Sequence, residues 1–517
     1  MARESAQQKT DKQNVRKTEK QDLSKRIDSR RSQELVIGLC GAIGSGVKSL
    51  KNTLIGTLTS FGYEVKHIRV SKLIIDKQDA SKRPNLNALK GAKRYTELQD
   101  LGDQLRMQHE NHILACCAVT EISYRREEAH NKSAEVDGNV EKPSVKIAYI
   151  VDQLKHPSEV EILRKVYPKN FFLFGLIRTE KERVINLEEE GLDKSEIDDL
   201  IRRDRKSDDK YGQQVEKTLE SSDFFIRNTH NQSVFLERSV ERFIKLIHGY
   251  NGITPTEEEV GMHAAYSASL RSACLSRQVG AAIVDKQGRI IATGCNDVPE
   301  YGGGLYTDSS SSDFRCVHKG RCSNDQHKNI LKEQILDIVK TKVSNEQDAI
   351  ILTNRISEET KIKSLIEYSR AIHAEMDAIV SLSRLTTEST IGSTLYATTY
   401  PCHNCARHIV AAGIHKVVYI EPYEKSLAIK LHQDAITDIS ENNKVIFNPF
   451  EGVSPDMFER FFKSLSNRKD EEGKAIRIRV NDLYHVDSQY LDSYFDFEAA
   501  IAEDVEEKFK SPIPAAP

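Results

Sequence analysis

The chain has 517 residues, more than the roughly 100–200 residues of a usual domain, so we expect two or three domains. Lys and Arg total 75 against 78 Asp and Glu, which excludes the basic excess of a protein that coats duplex DNA. No apolar run reaches the roughly 18 residues that cross a bilayer, and the N-terminus has no apolar signal segment. We therefore expect a cytoplasmic protein without membrane contact, whose nine cysteines are reduced thiols, some of them bound to metal.

Residues 1–32 mix basic and acidic side chains with almost no apolar spacing, which predicts a disordered, mildly basic tail. Ordered structure begins with the apolar run 34–40, followed by a glycine-rich loop and a helical pattern. Later apolar runs have the composition of buried parallel strands and lie at 63–70, 145–152 and 171–177. The sequence therefore predicts an α/β domain with a parallel sheet over residues 33–250.

The glycine-rich loop fits a phosphate-binding loop, in which the backbone approaches phosphates closely and a lysine reaches the terminal ones. Val47 stands between the last glycine and Lys48, so the lysine is one residue out of the usual position. We expect a P-loop, kinase-like fold in which a bound nucleotide, with Mg²⁺ beside Asp152, regulates rather than transfers phosphate. The predicted nucleotide-binding residues are Gly41, Gly44, Ser45, Gly46, Lys48, Ser49 and Asp152. For the arginines further along the chain we predict one of two roles, lid residues or part of a solvated charged helix. These arginines are Arg202, Arg203 and Arg205.

A second domain is predicted over residues 251–495, after a turn-like stretch. It starts with a helix whose first turn is acidic and continues with a β-hairpin over 279–294. A polar insertion with two helical stretches follows at about 298–364, and a segment of that length is either a functional lid or a disordered loop. Residues 496–517 form an acidic tail to which we assign no function.

The strongest chemical signal is His-Ala-Glu at 373–375, followed by Pro-Cys-His-Asn-Cys at 401–405. One imidazole and two thiolates make a three-ligand zinc site whose fourth position admits water, and zinc lowers the pKa of that water towards neutrality. A nearby carboxylate outside the metal shell then carries the proton, as in zinc deaminases. We predict Zn²⁺ bound by His373, Cys402 and Cys405, with Glu375 as the catalytic proton shuttle.

Seven cysteines lie outside this motif. Four of them are predicted packing residues: Cys40, Cys116, Cys117 and Cys274. Two alternatives, a second zinc site that holds the insertion or free thiols, stay open for the remaining cysteines and a nearby histidine: Cys295, Cys316, Cys322 and His318.

Residues from about 257 to 423 resemble the deoxycytidylate deaminase branch of the cytidine deaminase superfamily. The zinc motif carries this resemblance together with CLSRQVGAAIV at 274–284 and TGCN at 293–296. The resemblance implies a cytidine deaminase-like αβα fold and a homo-oligomer.

The same resemblance implies a set of substrate contacts. Asn296 would contact the deoxyribose 3′-hydroxyl and Arg277 would lie near the phosphate, although Arg277 also fits a surface charge at the start of a strand. Ala374 and Tyr423 complete the predicted substrate site. Asp377 departs from the family pattern, which usually has asparagine at this position.

Over about residues 34–465 the chain is similar to antiviral deoxycytidylate deaminases of bacteria, which join a P-loop kinase-like domain to this deaminase. The domain order matches, and so do the segments at 152–157, 296–304, 421–427 and 445–452. The resemblance implies conversion of dCTP and dCMP to dUTP and dUMP, which depletes a precursor that phage needs. It also implies an inhibitory small RNA as a partner, while a signal at the first domain would control the second allosterically.

Two other functions compete with nucleotide deamination. An RNA- or single-stranded-DNA-editing deaminase draws a base into the same kind of pocket, but this domain has no stripe of Arg and Lys interleaved with aromatic residues. A nucleotide-sensing P-loop ATPase with a secondary deaminase is disfavoured by the intact zinc motif. The spacing of that motif alone indicates only a zinc deaminase.

Overall fold

The computed structural model describes residues 32–137, 146–205, 211–228, 233–250, 252–385, 388–422, 426–439, 441, 443–464, 467–476, 485, 487–489 and 492–510. Apart from Ser32, the predicted N-terminal tail lies outside these residues. The chain divides into two compact units, the first of Met1–Thr254 with Glu459–Pro517 and the second of Pro255–Phe458. Among the described helices, none combines the length and the apolar composition that crossing a bilayer requires.

Parallel strands form the centre of the first unit: β1 Leu35–Gly41, β2 Glu64–Arg69, β3 Ile147–Asp152, β4 Phe171–Ile177 and β5 Phe224–Arg227. They lie side by side in the order β2-β3-β1-β4-β5. β1, β3 and β4 are continuous apolar runs and almost all of their residues are buried, as in a parallel sheet covered on both faces. The predicted parallel α/β sheet is confirmed.

Helices connect and cover these strands. They are α1 Val47–Ser60, α2 Val70–Asp76, α3 Arg83–Ala88, α4 Gly91–Gln108, α5 Ile113–Asp137, α6 Pro157–Val166, α7 Glu180–Glu189, α8 Lys194–Arg205, α9 Val215–Glu220 and α10 Ser233–Ile247. Several begin with capping groups that satisfy free backbone N–H groups, as in α7, where Thr179 and Glu182 form a reciprocal capping box.

The second unit contains a mixed sheet of β6 Gly280–Val284, β7 Ile290–Cys295, β8 Thr394–Thr399, β9 Lys416–Glu421, β10 Ile436–Thr437 and β11 Val445–Pro449. The strand order is β10-β11-β9-β8-β6-β7. β6 is antiparallel to both of its neighbours, whereas the other pairs are parallel. The β6–β7 pair is the predicted hairpin. A short strand, β12 Gly452–Val453, follows.

Helices of the second unit are α11 Glu257–Ser269, α12 Cys316–Lys319, α13 Ser323–Lys340, α14 Glu346–Glu359, α15 Ala374–Leu385, α16 His403–Ala411 and α17 Ala428–Leu431, with 3₁₀ turns at Lys361–Ser364 and Pro455–Met457. Adjacent residues of β8 face opposite sides of the sheet. Leu395 packs in one core with residues of α15 and α16, whereas Tyr396 meets α11 at Gly261, where a Cβ would lie 2.4 Å from the tyrosine ring. The sheet is therefore covered on both faces, as predicted.

The insertion is helical and anchored by one buried arginine. Arg315 is 5% exposed and pairs with Asp308 at 2.7 Å, with Asp313 and with Asp297, whose Oδ2 lies 3.7 Å from Nη1. Asp297 follows β7 and also accepts the Ala273 N–H at 2.8 Å. Of the two predicted alternatives, a disordered loop is therefore wrong.

The segment after residue 458 differs from the predicted division. Two further helices follow, α18 Phe458–Phe462 and α19 Asp492–Lys510. α19 packs on α5 in the first unit, where Arg126 pairs with Glu498 of α19 and with Glu34, the latter at 2.7 Å. The sequence analysis placed residues up to 495 in the second domain and ended the chain in a tail. A helix forms because Tyr494, Ile501 and Val505 recur at helical spacing between the acidic residues.

Candidate metal and substrate site

Three side chains predicted as metal ligands meet in the second unit. His373 Nδ1 lies 3.4 Å from Cys402 Sγ and 3.3 Å from Cys405 Sγ. Within the described part of the chain, these residues form the one group of three or more His, Cys, Asp and Glu whose ligand atoms all lie within 4.8 Å of one another. One imidazole and two buried thiols are the donor set of an open zinc site. The residues present therefore fit Zn²⁺.

The N-terminal ends of two helices position these ligands. His373 directly precedes α15, Cys402 is the N-cap of α16, and Cys405 lies in the first turn of α16. Gly294 of β7 allows α15 to approach the sheet, since a Cβ there would lie 2.4 Å from the Ala374 carbonyl oxygen. The first turn of a helix favours negative charge, which suits thiolates.

The thiols of the cluster interact strongly. The pKa of Cys402 falls to about 4 because its Sγ is hydrogen-bonded to Cys405 and to His373, while the pKa of Cys405 is raised by the same bond and by burial. The hydrogen bond to Cys402 raises the pKa of His373. The cluster thus already stabilises one thiolate.

Glu375 lies in the first turn of α15, beside this cluster. It is 4% exposed, lines the same cavity as His373 and Cys402, and forms a hydrogen bond with Cys405. Burial raises the pKa of Glu375, which makes the carboxylate a stronger base than an exposed one. A buried carboxylate next to the ligands, outside the three-ligand group, is suited to proton transfer.

A cavity of about 240 Å³ opens at the cluster, and the predicted substrate residues Asn296, Arg277 and Ala374 all line it. Asn296 Oδ1 accepts the Val279 N–H at 2.7 Å, and Nδ2 donates to the Arg277 carbonyl at 2.9 Å. These bonds fix the carboxamide, yet each of its ends retains capacity for one more hydrogen bond. Tyr423 lies outside the described residues.

Arg277 stands at the cavity wall with its side chain half exposed. Its Nη1 lies 3.1 Å from Oε2 of Glu421, which also accepts the Thr399 hydroxyl at 2.9 Å. Asp377, in contrast, is not among the residues that line the cavity. It is 6% exposed and accepts the Cys295 N–H at 3.1 Å, so its carboxylate faces the β7 backbone.

The insertion contributes one wall of the cavity, which the sequence analysis did not predict. Its lining residues, together with two that follow it, are Cys316, Cys322, Ser323, Asn324, Ser369 and Arg370. No local spacing relates these positions to the zinc motif, so only the folded chain brings them there.

Of the two alternatives for the remaining cysteines, a second zinc site or free thiols, the described residues show no second zinc cluster. The candidate ligands Cys295, Cys316, His318 and Cys322 form no second cluster there. Cys295 is buried and burial raises its pKa to about 11, as for a packing thiol. His318 Nε2 lies 3.0 Å from Asp313 instead.

The glycine-rich loop joins β1 to α1 in the first unit, and it borders a separate cavity of about 330 Å³. Gly44 and Gly46 have φ angles of 78° and 90°, which favour glycine. The predicted residues that line this cavity are Gly44, Ser45, Gly46, Lys48 and Asp152, whereas Gly41 and Ser49 are not among its lining residues. Lys48 and Ser49 are exposed.

Asp152 ends β3 with both carboxylate oxygens occupied. Oδ2 lies 2.8 Å from His67 Nε2, and Oδ1 accepts the Val70 N–H at 3.2 Å. Arg202 and Arg203 form exposed ion pairs with Asp199 and Asp100 and are not among the residues that line the cavity, as on a solvated helix face. The Arg205 side chain lies outside the described part.

Comparison with known proteins gives one family model, described as the cytidine and deoxycytidylate deaminase zinc-binding region, which matches residues 255–421. The deoxycytidylate deaminase of Enterobacteria phage T2 is 33% identical over 165 residues, which cover 32% of this chain and 80% of the phage protein. That of Enterobacteria phage T4 is also 33% identical over 165 residues, covering 32% and 78%. A crystal structure of dCMP deaminase from cyanophage S-TIM5 with dCMP and dUMP matches at 23% identity and a TM-score of 0.23, covering 38% of this chain and all of that one.

Proposed function

Since the chain belongs to the cytidine and deoxycytidylate deaminase family, we propose that its second unit hydrolyses deoxycytidine nucleotides, dCMP and dCTP, to deoxyuridine nucleotides and ammonia. The observation that carries the proposal is the meeting of His373, Cys402, Cys405 and Glu375 in one cavity. The cavity has room for a base and sugar, and Arg277 and Arg370 at its wall match the charge of a phosphate.

His373, Cys402 and Cys405 would hold Zn²⁺, which supplies Lewis acidity and lowers the pKa of water towards neutrality. Glu375 accepts a proton from the attacking water and delivers it to ring nitrogen N3 of cytosine. The oxygen adds to C4, the C4–N4 bond breaks, and Glu375 passes the second proton to the departing amine, which leaves as ammonia. The raised pKa of Glu375 suits both transfers, because the carboxyl group must gain and lose a proton near neutral pH.

Asn296 orients the sugar through the donor and acceptor that its two backbone bonds leave free. Arg277 can exchange its exposed contact with Glu421 for the substrate phosphate, since a half-exposed ion pair is weak. Two arginines at this wall favour the terminal phosphate of a free nucleotide, which carries more negative charge than the phosphodiester of an oligonucleotide.

We also propose that the first unit is a P-loop, kinase-like regulator that binds a nucleotide and controls the deaminase. The strand order, the two left-handed glycines and the cavity beside the loop support it. Mg²⁺ would replace the His67 contact of Asp152. The anti-phage role and the inhibitory small RNA are proposed from the resemblance to antiviral deaminases. The homo-oligomer is proposed from the resemblance to the deaminase superfamily, and the cytoplasmic location from the composition of the sequence.

The test incubates the purified full chain with dCMP, dCTP, CMP, CTP and cytosine-containing oligonucleotides and separates the uracil products chromatographically. We expect turnover of the deoxynucleotides, abolished in Glu375→Ala while one zinc per chain remains. Cys402→Ser should lose both zinc and activity, whereas Cys274→Ser, at the same cavity, should keep the metal. Product formed only from oligonucleotides, or full turnover by Glu375→Ala, would show the proposal to be wrong.

A further inference from the structure

In the glycine-rich loop, valine occupies the position directly after the last glycine, where such a loop usually has its lysine. Val47, directly after the last glycine, is 6% exposed and would contact a Cβ placed at Gly41. Lys48 is exposed at the first turn of α1. In such loops a lysine reaches the terminal phosphates, so a cation that contacts the loop backbone from another element is a candidate for that role.

Lys155 brings an ammonium group to the loop from the segment after β3. Its Nζ donates to the Gly41 carbonyl at 3.1 Å and lies 2.7 Å from Asp204 Oδ1. The lysine side chain is 12% exposed. Lys155 therefore stands against the backbone of the loop, although it is more than one hundred residues away in sequence.

Asp204 of α8 completes this arrangement from the other side. The residue is 1% exposed, and its Oδ2 accepts the Ile43 N–H of the loop at 2.6 Å. A carboxylate bound by a loop N–H and an ammonium has the partners that a phosphate oxygen would have. The Asp204 carboxylate is thus an anion, supplied by α8 of the protein itself, that is bound to the glycine-rich loop.

Unpaired buried polar atoms indicate that this cavity takes a ligand with hydrogen-bonding groups. Among the residues that the structure describes, none forms a hydrogen bond with Ser45 Oγ, Gln99 Oε1 or Gln213 Oε1. Each of these three residues is less than one-tenth exposed and lines the cavity. Buried polar groups are normally paired. The serine can donate to a phosphate oxygen, while the glutamine oxygens require donors such as sugar hydroxyls or a base amino group.

We propose that Lys155 is the phosphate-binding cation of this cavity and that an incoming nucleotide displaces Asp204 from Lys155 and from the Ile43 N–H. The inference rests on the proposal that the first unit binds a nucleotide. Asp204 then competes with the ligand, so neutralising it strengthens binding, whereas removing Lys155 weakens binding. A pair that is only structural behaves differently, because both substitutions would impair the cavity.

The test measures binding of ATP and of inorganic tripolyphosphate to the full chain by calorimetry, with Mg²⁺ present. Asp204→Asn should bind both probes about fivefold or more tightly than the wild type, and Lys155→Met about tenfold or more weakly. Lys155→Arg should restore binding. The matched control is Lys72→Met, at an exposed position of α2 that is not among the residues lining the cavity, and it should stay within about twofold of the wild type. Circular dichroism and thermal unfolding confirm that each variant is folded.

The results of these measurements distinguish the role of Lys155 and Asp204 from the proposal that the first unit binds a nucleotide. Equal affinity of wild type and Lys155→Met, or weaker binding by Asp204→Asn, overturns the role of these two residues and leaves nucleotide binding standing. A wild-type chain that binds neither probe at millimolar concentration overturns both. If Asp204→Asn does not fold, the affinities of Lys155→Met, Lys155→Arg and Lys72→Met still test the role of Lys155.

Discussion

His248 is held as a neutral imidazole directly after α10. Its Nδ1–H donates to the Ile244 carbonyl at 2.7 Å, and its Nε2 accepts the Tyr63 hydroxyl at 2.7 Å. Burial lowers the pKa of His248 from 6.5 to about 4. The unfolded chain therefore binds a proton between pH 6.5 and 4 that the folded chain does not, and stability falls as the pH falls through this window.

Replacing His248 by Gln should flatten this dependence on pH. Each pH unit within the window costs the wild type about 1.4 kcal/mol from this residue alone. Urea unfolding at pH 7, 6 and 5 measures the slope. The control His415→Gln, at an exposed position, should leave it unchanged. An unaltered slope in His248→Gln would contradict the assignment.

The side chains that could be predicted are those in short, spaced motifs. His373 and Glu375 are two residues apart, and Cys402 and Cys405 share one helix turn, so their joint role follows from spacing. Lys155 and Asp204 carry no such pattern, because they reach the glycine-rich loop from separate elements and meet only in the folded chain. The sequence alone therefore does not explain why Val47 stands where such a loop usually has its lysine.

At the scale of elements, the insertion forms part of the substrate cavity and depends on Arg315 for its position. This guanidinium joins Asp308 and Asp313 of the insertion to Asp297, which is next to the cavity-lining residue Asn296. The backbone N–H of Ile372 also bonds to the Asp297 carbonyl at 3.0 Å, one residue before the ligand His373. A substitution of Arg315 is therefore expected to disturb both the cavity wall formed by the insertion and the wall next to Asn296 and His373.

Arg315→Met should lower kcat/KM for deoxycytidine nucleotides by about tenfold or more, since it leaves Asp297 buried without its cation. Arg289→Met is the control, because that arginine is 61% exposed and pairs with Asp285 at the surface. Steady-state kinetics with dCMP, together with zinc content, distinguishes a damaged cavity from loss of metal. Equal kcat/KM values for the two variants would contradict this role of the insertion.

Elements with continuous or alternating apolar patterns were predicted correctly, including β1, β3, β4 and the β6–β7 hairpin. α19 was missed because acidic residues are interspersed among its apolar residues and hide the spacing of Tyr494, Ile501 and Val505. The partners that make this helix stable, Arg126 and Tyr167, lie hundreds of residues earlier. Such tertiary pairing leaves no local signal.

At the scale of the whole chain, a buried cluster of charged and aromatic side chains in the first unit connects Glu34, directly before β1, to α19. Arg126 pairs with Glu34 and Glu498, and Tyr494 donates to Glu34 at 3.0 Å. The Arg126 guanidinium also lies 5.1 Å from the centre of the Tyr494 ring. Removing Glu498 leaves Arg126 Nη1 and the Tyr167 hydroxyl buried without this hydrogen-bond partner, while Glu34 still balances the guanidinium charge.

Glu498→Ala should therefore lower the free energy of unfolding of the first unit by about 2–4 kcal/mol, since two buried donors lose their acceptor. Glu503→Ala, on the exposed face of the same helix, is the control. Urea unfolding followed by circular dichroism measures both, while deaminase activity reports on the second unit. Equal unfolding midpoints for the two variants would show that the cluster does not hold α19.

The first unit is built from two segments of the chain that are separated by the whole second unit. This arrangement determines which unit is completely synthesised first. Residues 255–458 emerge as a complete unit, whereas the preceding unit still lacks Glu459–Pro517. Domains generally fold as units during synthesis, from the N-terminus onwards, but here the later-encoded enzyme is the first to be complete. A nascent chain interrupted after residue 458 would carry a finished catalytic unit beside an unfinished partner.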